Sequence, residues 1–494
     1  MNILRREFLK GTFSAIGLAA FADGRLFAAP EGWKHGGTPN LVFGVLSDTH
    51  FRTDSFWRRG IKSDKYFVAA LECFRDMNVD AVVHCGDMAD RGLVGELQLH
   101  ADAWHKVFPK NMAPDGHVVE KLFVTGNHDI EAWGRNFNFA RVVPNKDEWP
   151  RKIIKANVAE HWERIWGEKY EPVWHKEVKG YHFFGRNWGV GLNELKDLID
   201  ANRAGCGLDT GAKPFFFMSH NMPRGKFNSE MKRYRNALSF WGHWHVSAAN
   251  WTIIKMLNAN LPGVQCPACP SWWRKDGKWM GGCDGWITKA PIEGKLQGGQ
   301  WHQGFVVKVY DDALVIERRE FSKGGSVGPD WVMPFPENCE RGTSKRHPFA
   351  RGELKKKIGN PQFRQGAKLT VLFDRAGKGG KPAKRNPAKP ADPVLKDSAS
   401  QLLCVKIPLA DGNAASRVYA YEVEVSNQSD KLLKAVYAAG CNMGIGHEPD
   451  GGITTLEIPG SELPPGKMLT VSVSPLSSLG TRGRAIVKKL NLYE

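Results

Sequence analysis

Short apolar runs, most of five or six residues, punctuate the first two-thirds of the chain. Leu41–Leu46, Ala81–Cys85 and Lys121–Val124 show little polar alternation, which predicts strands buried on both faces. Tyr181–Phe184, Pro214–Met218 and Ala237–Trp241 read the same way. Between them, Lys65–Arg75 and Leu192–Ala204 carry apolar residues at helical spacing. Strands alternating with helices predict an α/β layered domain from about residue 38 to 322, closing on the strand pair Gly304–Tyr310 and Leu314–Arg318.

The pattern then changes. From Lys323 to Asp397 there are 17 Lys or Arg against 7 Asp or Glu, and residues 323–365 read as a basic linker. Residues 376–393 are rich in Gly, Pro and Lys and read as a loop. Beyond Leu402 the runs alternate with period two, as in Tyr419–Val425 and Met468–Val473, with a turn signal at Pro464, Pro465 and Gly466. This predicts a small antiparallel β-sandwich over 366–494, with Lys368–Phe373 as its first strand.

The 494 residues are 42% hydrophobic and 24% charged, enough to bury a core, which excludes a disordered chain or a small disulfide scaffold. No apolar run approaches the ~20 residues that cross a bilayer. A net charge of +17 favours anionic partners. Residues 1–30 read as an export signal: Arg5 and Arg6, a weakly apolar stretch from Gly11 to Ala22, and small residues at Ala20, Ala22, Ala28 and Ala29. The segment resembles a twin-arginine signal, although Leu4 stands where Ser or Thr is usual, and predicts a periplasmic or extracellular protein with no integral membrane segment once the signal is removed. Nine cysteines would then be free to pair. The clustered Cys266, Cys269 and Cys283 suggest a loop disulfide, with a thiolate metal site or simple packing as alternatives, while Cys85 reads as a core residue.

Five short motifs carry the candidate chemistry: Ser47-Asp48-Thr49-His50, Gly86-Asp87-Met88-Ala89-Asp90-Arg91, Gly126-Asn127-His128-Asp129, Ser219-His220-Asn221 and Gly242-His243-Trp244-His245. Each follows an apolar run, so each should emerge at the carboxyl edge of a sheet, where open α/β sheets hold their ligands. Asp, Asn and His without Cys suit Mn, Fe or Zn. So many donors exceed one tetrahedral site and point to two metals ~3.5–4 Å apart. A carboxylate, having two oxygens, is the natural bridge. The glycines at 86, 126 and 242 are expected to let the backbone turn sharply.

With these motifs in this order, the sequence resembles the calcineurin-like metallophosphoesterase superfamily. The resemblance implies a four-layer αββα sandwich for the catalytic domain, and the tail looks like an accessory domain of some bacterial members. It implies that Asp48, His50, Asp87 and His245 hold one metal and that Asp87 bridges to a second held by Asn127, His220 and His243. His128 would be the catalytic histidine beside the leaving group, oriented by Asp90, and Arg91 would touch the substrate phosphate. The implied reaction is hydrolysis of a phosphate ester, a phosphodiester by mild preference, by in-line attack of a metal-activated water.

Taken singly these residues mean little; His220 alone would read as a packed or capping histidine. Five of the 16 histidines falling at required positions, in order, is what favours the metal site. Asp129 is open between a direct role and a helix cap. Trp272, Trp273 and Arg274 read as packing or as an aromatic wall. The basic stretch 341–389 reads as a solvated linker or as a surface for an anionic polymer. A rival reading of the whole chain is a polyanion-binding protein whose metal site is structural. If the tail only guided substrate, truncation near residue 325 would spare hydrolysis of small esters.

Overall fold

The computed structural model describes residues 37–492 apart from 53–62, 131–159, 211–212, 235–236, 258–261, 268–289, 291, 294–301, 336–346, 348, 376–400, 412–416, 442 and 446–451. The export segment, Cys269, Cys283, Trp272, Trp273, Arg274 and the loop at 376–393 lie outside the described residues.

Two six-stranded sheets form the centre of the first domain. In the first, β1 (Leu41–Leu46), β2 (Ala81–Cys85) and β3 (Glu120–Val124) run parallel. In the second, β4 (Val173–Val178), β5 (Tyr181–Arg186), β6 (Phe215–Ser219), β7 (Ala237–Trp241), β8 (Ile254–Met256) and β9 (Pro262–Gln265) lie in the order β4-β5-β6-β7-β9-β8, with β5, β6, β7 and β9 parallel. A short β10 (Ile292–Glu293) leaves this domain. The chain then returns to complete the first sheet with β11 (Gln303–Val309), β12 (Ala313–Glu320) and β13 (Trp331–Pro334), giving the order β13-β12-β11-β1-β2-β3.

Both faces of each sheet are covered, which explains why the runs do not alternate. Phe43, Val45, Val83, Phe183, Phe216, Phe240 and Phe305 meet between the sheets. The Phe43 ring stands edge-on to Phe183 at 5.3 Å and to Phe216 at 5.0 Å. Each such buried phenylalanine contributes about 1.5–3 kcal/mol. On the outer face of the first sheet, Val82, Phe123 and Val306 pack under α1 (Ser63–Asp76), α2 (Val94–Val107) and α3 (Glu160–Trp166). On the outer face of the second, Phe184, Phe215 and Phe217 pack under α4 (Leu192–Ala201) and α5 (Lys226–Glu230). The result is the expected αββα sandwich.

The tail is a β structure around its own core, antiparallel except where β10 pairs in parallel with β19. One sheet orders β10, β19 (Lys431–Tyr437), β18 (Ala420–Ser426), β21 (Met468–Leu476) and β22 (Ile486–Asn491), and another orders β15 (Thr370–Arg375), β16 (Gln401–Ile407) and β20 (Thr454–Pro459). Alternate residues Leu403, Val405 and Ile407 on β16 and Tyr421, Val423 and Val425 on β18 fill the space between them, as in a β-sandwich. A two-stranded piece pairs β14 (Gln362–Phe363) with β17 (Ala410–Asp411).

Residues 323–365, expected to be a basic linker, include sheet and core residues. Trp331–Pro334 adds a strand to the first sheet, so that sheet extends past residue 322. A helix, α6 (Arg351–Ile358), turns Leu354 and Ile358 into the inter-sheet core while Lys355 and Lys356 stay exposed. Apolar residues at four-residue spacing outweigh the basic composition. The tail also braces the loop after His245: Asn250 Nδ2 donates to Tyr419 Oη at 3.1 Å, and the Trp251 N–H donates to Ser478 Oγ at 3.0 Å. Truncation near residue 325 would therefore strip a sheet strand and a loop brace. Cys85 lies in the core as expected, beside Cys266, whose thiol donates to Cys85 Sγ at 3.5 Å without a disulfide between them. Among the described residues no helix is long and apolar enough to cross a membrane.

Candidate metal centre

Strands β1, β2, β3, β6 and β7 end at one edge, and their five following loops meet there. Hydrogen bonds knit these loops together, within the second sheet and then across to the first. The Gly242 N–H donates to the His220 carbonyl at 3.0 Å, and the His243 N–H donates to both Asp48 carboxylate oxygens at 3.1 and 3.0 Å. The loops are strained. Asp48, His50, Asp87, His243 and His245 all have φ between 46° and 76°. Left-handed backbone is uncommon for non-glycine residues, and Asp and His tolerate it better than most. It aims these short side chains back over the strand ends.

Gly86 has a φ of +92°, as expected of a sharp turn, but Gly126 and Gly242 are required for space instead. A Cβ at 126 would lie 2.1 Å from Asp87 Oδ1, and one at 242 would lie 1.9 Å from Ser47 Oγ and 2.6 Å from Asp48 Oδ2.

The donor atoms fall into two groups sharing Asp87. In the first are Asp48, His50, Asp87 and His245. His50 Nε2 lies 3.2 Å from His245 Nε2 and 3.7 Å from Asp87 Oδ2, and His245 Nε2 lies 3.2 Å from Asp48 Oδ1. In the second are Asp87, His220 and His243, with Asn127 alongside. His220 Nε2 lies 3.1 Å from both Asp87 Oδ2 and Asn127 Oδ1, and His243 Nδ1 lies 3.0 Å from Asn127 Oδ1. Asp87 Oδ2 thus faces both groups, while its Oδ1 accepts the His128 N–H at 2.8 Å. All seven residues named from the sequence are brought together.

Burial alone would disfavour ionising Asp48 and Asp87, yet His245 and His220 beside Asp48, and His220 beside Asp87, hold both well below the usual carboxylate range. The same pairing, against the cost of burial, pushes His220 up to about 10. His50 and His243 are lowered, first by burial. Two ionised carboxylates buried among imidazoles demand positive charge in the space between them, and a proton on His220 is what the protein alone supplies.

Residues 41–247 match the sequence model of the family described as calcineurin-like phosphoesterase. Through this segment, 207 of the 494 residues, the chain resembles the calcineurin-like phosphoesterases. The match supports a hydrolase acting on phosphoric ester bonds. Among solved structures, a dimetal phosphatase from Danio rerio aligns at 14% identity over 60% of this chain and 99% of its own, with a TM-score of 0.34. A purple acid phosphatase from yellow lupin seeds aligns at 12% identity over 60% of this chain and 54% of its own, with a TM-score of 0.36. Vps29 from Entamoeba histolytica, complexed with zinc, aligns at 9% identity over 60% and 99%, with a TM-score of 0.25. No curated protein matches the chain.

The residues of this centre fit a pair of metals. The donors are oxygens and imidazole nitrogens, suited to Mn, Fe or Zn. The 3.2 Å ring-nitrogen separations, His50 to His245 and His220 to His243, match the edge of a coordination shell, about 3.3 Å for tetrahedral bonds of ordinary length. His220 donates Nδ1–H to the Cys85 carbonyl at 2.7 Å, leaving Nε2 as the free donor.

The supporting residues differ from expectation. Asp90 does not orient His128 through its carboxylate, which is 3.8 Å from His128 Nδ1; its backbone carbonyl accepts that nitrogen at 2.7 Å. The carboxylate turns the other way, 3.4 Å from His50 Nδ1 and 2.7 Å from Arg52 Nη2. Arg91 Nε lies 3.9 Å from Asp90 Oδ2, at the cleft margin. Asp129 stands apart from the donors and takes the capping role, in the first turn of the helical segment that begins at Asn127. Its two oxygens accept the Ala89 and Gly126 N–H groups at 2.7 and 2.8 Å, tying two motif loops together, and burial, then the Asp87 charge, pushes it up to about 7. Sequence reasoning missed Trp188, whose ring lies 6.0 Å from that of His243 and 5.7 Å from that of His220. It also missed Arg52, two residues beyond His50.

Proposed function

We propose that this chain is an exported, two-metal hydrolase of phosphate esters, with phosphodiesters mildly preferred. Asp48, His50, Asp87 and His245 would hold one cation, and Asp87, Asn127, His220 and His243 the other, the metals being Mn, Fe or Zn. When bound, the pair supplies an activated water and neutralises phosphate charge. The observation that carries the reading is Asp87: one carboxylate oxygen faces both donor groups, and the other fixes the backbone of His128.

His128 would stabilise or protonate the departing oxygen. Its Nδ1–H donates to the Asp90 carbonyl, so Nε2 faces outward and donates when the ring carries its second proton, and the side chain is 35% exposed, open to a substrate. Arg91 would add charge at the margin, and Trp188 would form an apolar wall beside the second donor group. Export rests on Arg5 and Arg6 ahead of the apolar segment.

The test is hydrolysis of bis-p-nitrophenyl phosphate and p-nitrophenyl phosphate by metal-loaded protein, beside a His128→Ala variant. The expected result is metal-dependent turnover of both esters, faster on the diester, that falls by 10²–10⁴-fold in the variant. No turnover of either ester, with polyanion binding retained, would overturn the reading in favour of a structural metal site.

A further inference from the structure

We propose that His175, His182 and Cys206 form a separate metal site, with Glu177 at its edge, that takes a borderline-soft divalent cation of the zinc class. The β4–β5 hairpin turns at Lys179 and Gly180, and its register sets Glu177 opposite His182 and His175 opposite Phe184. Trp174 and Val178 on β4 enter the inter-sheet core, so His175, Glu177 and His182 share the outer face. Cys206 reaches the same face from the turn after α4, where its N–H donates to the Asn202 carbonyl at 2.9 Å.

The three donor atoms lie within 4.8 Å of one another. His175 Nε2 is 3.1 Å from His182 Nδ1 and 3.9 Å from Cys206 Sγ. Tetrahedral zinc with ordinary bond lengths sets these edges at about 3.3 Å for two nitrogens and about 3.6 Å for nitrogen and sulfur. The imidazole spacing is close to the 3.2 Å found twice among the donors of the first centre. The His175 ring is held by stacking on Phe184, centroids 4.5 Å apart and planes 9° apart, so the ligand nitrogen is aimed before any cation arrives. Glu177 Oε2, 4.0 Å from His182 Nδ1, can close a fourth position.

Two imidazoles, a thiolate and a carboxylate suit zinc or cobalt and disfavour magnesium or calcium. Such a cation would fasten β4, an edge strand, to the turn after α4. Closing the edge in this way protects a strand that is otherwise open to pairing with another chain. The role is structural, and its failure would leave the phosphoesterase reading untouched, because the first centre contains no thiolate.

The full-length chain, stripped of metal and kept reduced, is titrated with Co²⁺. A thiolate-to-cobalt charge-transfer band in the near ultraviolet is expected, together with one more bound metal per chain than in Cys206→Ser. Cys206→Ser should lose the band and bind that cation at least about 100-fold more weakly, while hydrolysis of p-nitrophenyl phosphate stays within about twofold of the parent. His182→Gln should weaken the same band. Absence of the band in the parent, or its persistence in Cys206→Ser, would overturn the proposal.

Discussion

Replacing Asp90 by Asn separates two roles that the sequence alone assigns to a single pair. The carboxylate lies 3.4 Å from His50 Nδ1 and 2.7 Å from Arg52 Nη2, whereas His128 leans on the backbone carbonyl of residue 90, which the substitution leaves in place. Burial opposes ionising Asp90, but His50 and Arg52 hold it below the usual carboxylate range, so a negative charge stands behind His50. Losing a partner behind a metal-ligating histidine costs about 10–100-fold in metal affinity, or about 1.4–2.7 kcal/mol. Asn keeps an acceptor and loses only the charge, so the change should lie nearer tenfold. His50 belongs to one donor group of two, so one of two binding steps should weaken. Metal-stripped Asp90→Asn is titrated with Mn²⁺ by calorimetry, and turnover is followed with phenyl phosphates of graded leaving-group acidity. One weakened binding step is expected, with turnover at saturating metal within about threefold of the parent and an unchanged dependence on the leaving group. Unchanged metal binding, with a steeper leaving-group dependence like that of His128→Ala, would refute the reasoning and return Asp90 to His128.

Other perturbations follow from the same contacts. Gly242→Ala places a Cβ against Ser47 Oγ and Asp48 Oδ2, so the metal-free protein should lose about 1–3 kcal/mol by denaturant titration and bind metal more weakly, whereas Gly37→Ala, with nothing within 4 Å, should do neither. Glu96 accepts the Arg91 N–H at 2.8 Å, and burial pushes its carboxyl from 4.5 up to about 7. The folded state therefore binds the extra proton between these values, and stability should fall as pH rises through that window. Glu96→Gln keeps the acceptor and should be stabilising relative to the parent at pH 8 but not at pH 4; an equal offset at both would contradict this.

Much of the architecture is legible in the sequence because strands buried on both faces must be continuously apolar, and because loops after such runs must gather at a sheet edge. The seven donors and His128 follow from that rule together with the family resemblance. The left-handed backbone at Asp48 and His50 does not, since nothing local distinguishes it from an ordinary turn. The orientation of Asp90 does not follow either, because a sequence cannot say whether a carboxylate or its own carbonyl faces a neighbour. Trp188 is brought beside His243 by a loop anchored to Thr125, a contact with no sequence signature. Residues 331–334 and 351–358 sit in a stretch of basic composition, and their apolar residues are the better guide to where they pack. His175, Glu177 and His182 were legible in principle, since a hairpin turning at Lys179 and Gly180 places them on one face.

The most direct test of the dinuclear centre is anomalous diffraction from crystals of the metal-loaded protein, collected at the absorption edge of the bound metal. Two peaks ~3.5–4 Å apart are expected, with Asp87 between them, Asp48, His50 and His245 around one, and Asn127, His220 and His243 around the other. A single peak, or two peaks that do not share Asp87, would contradict the account.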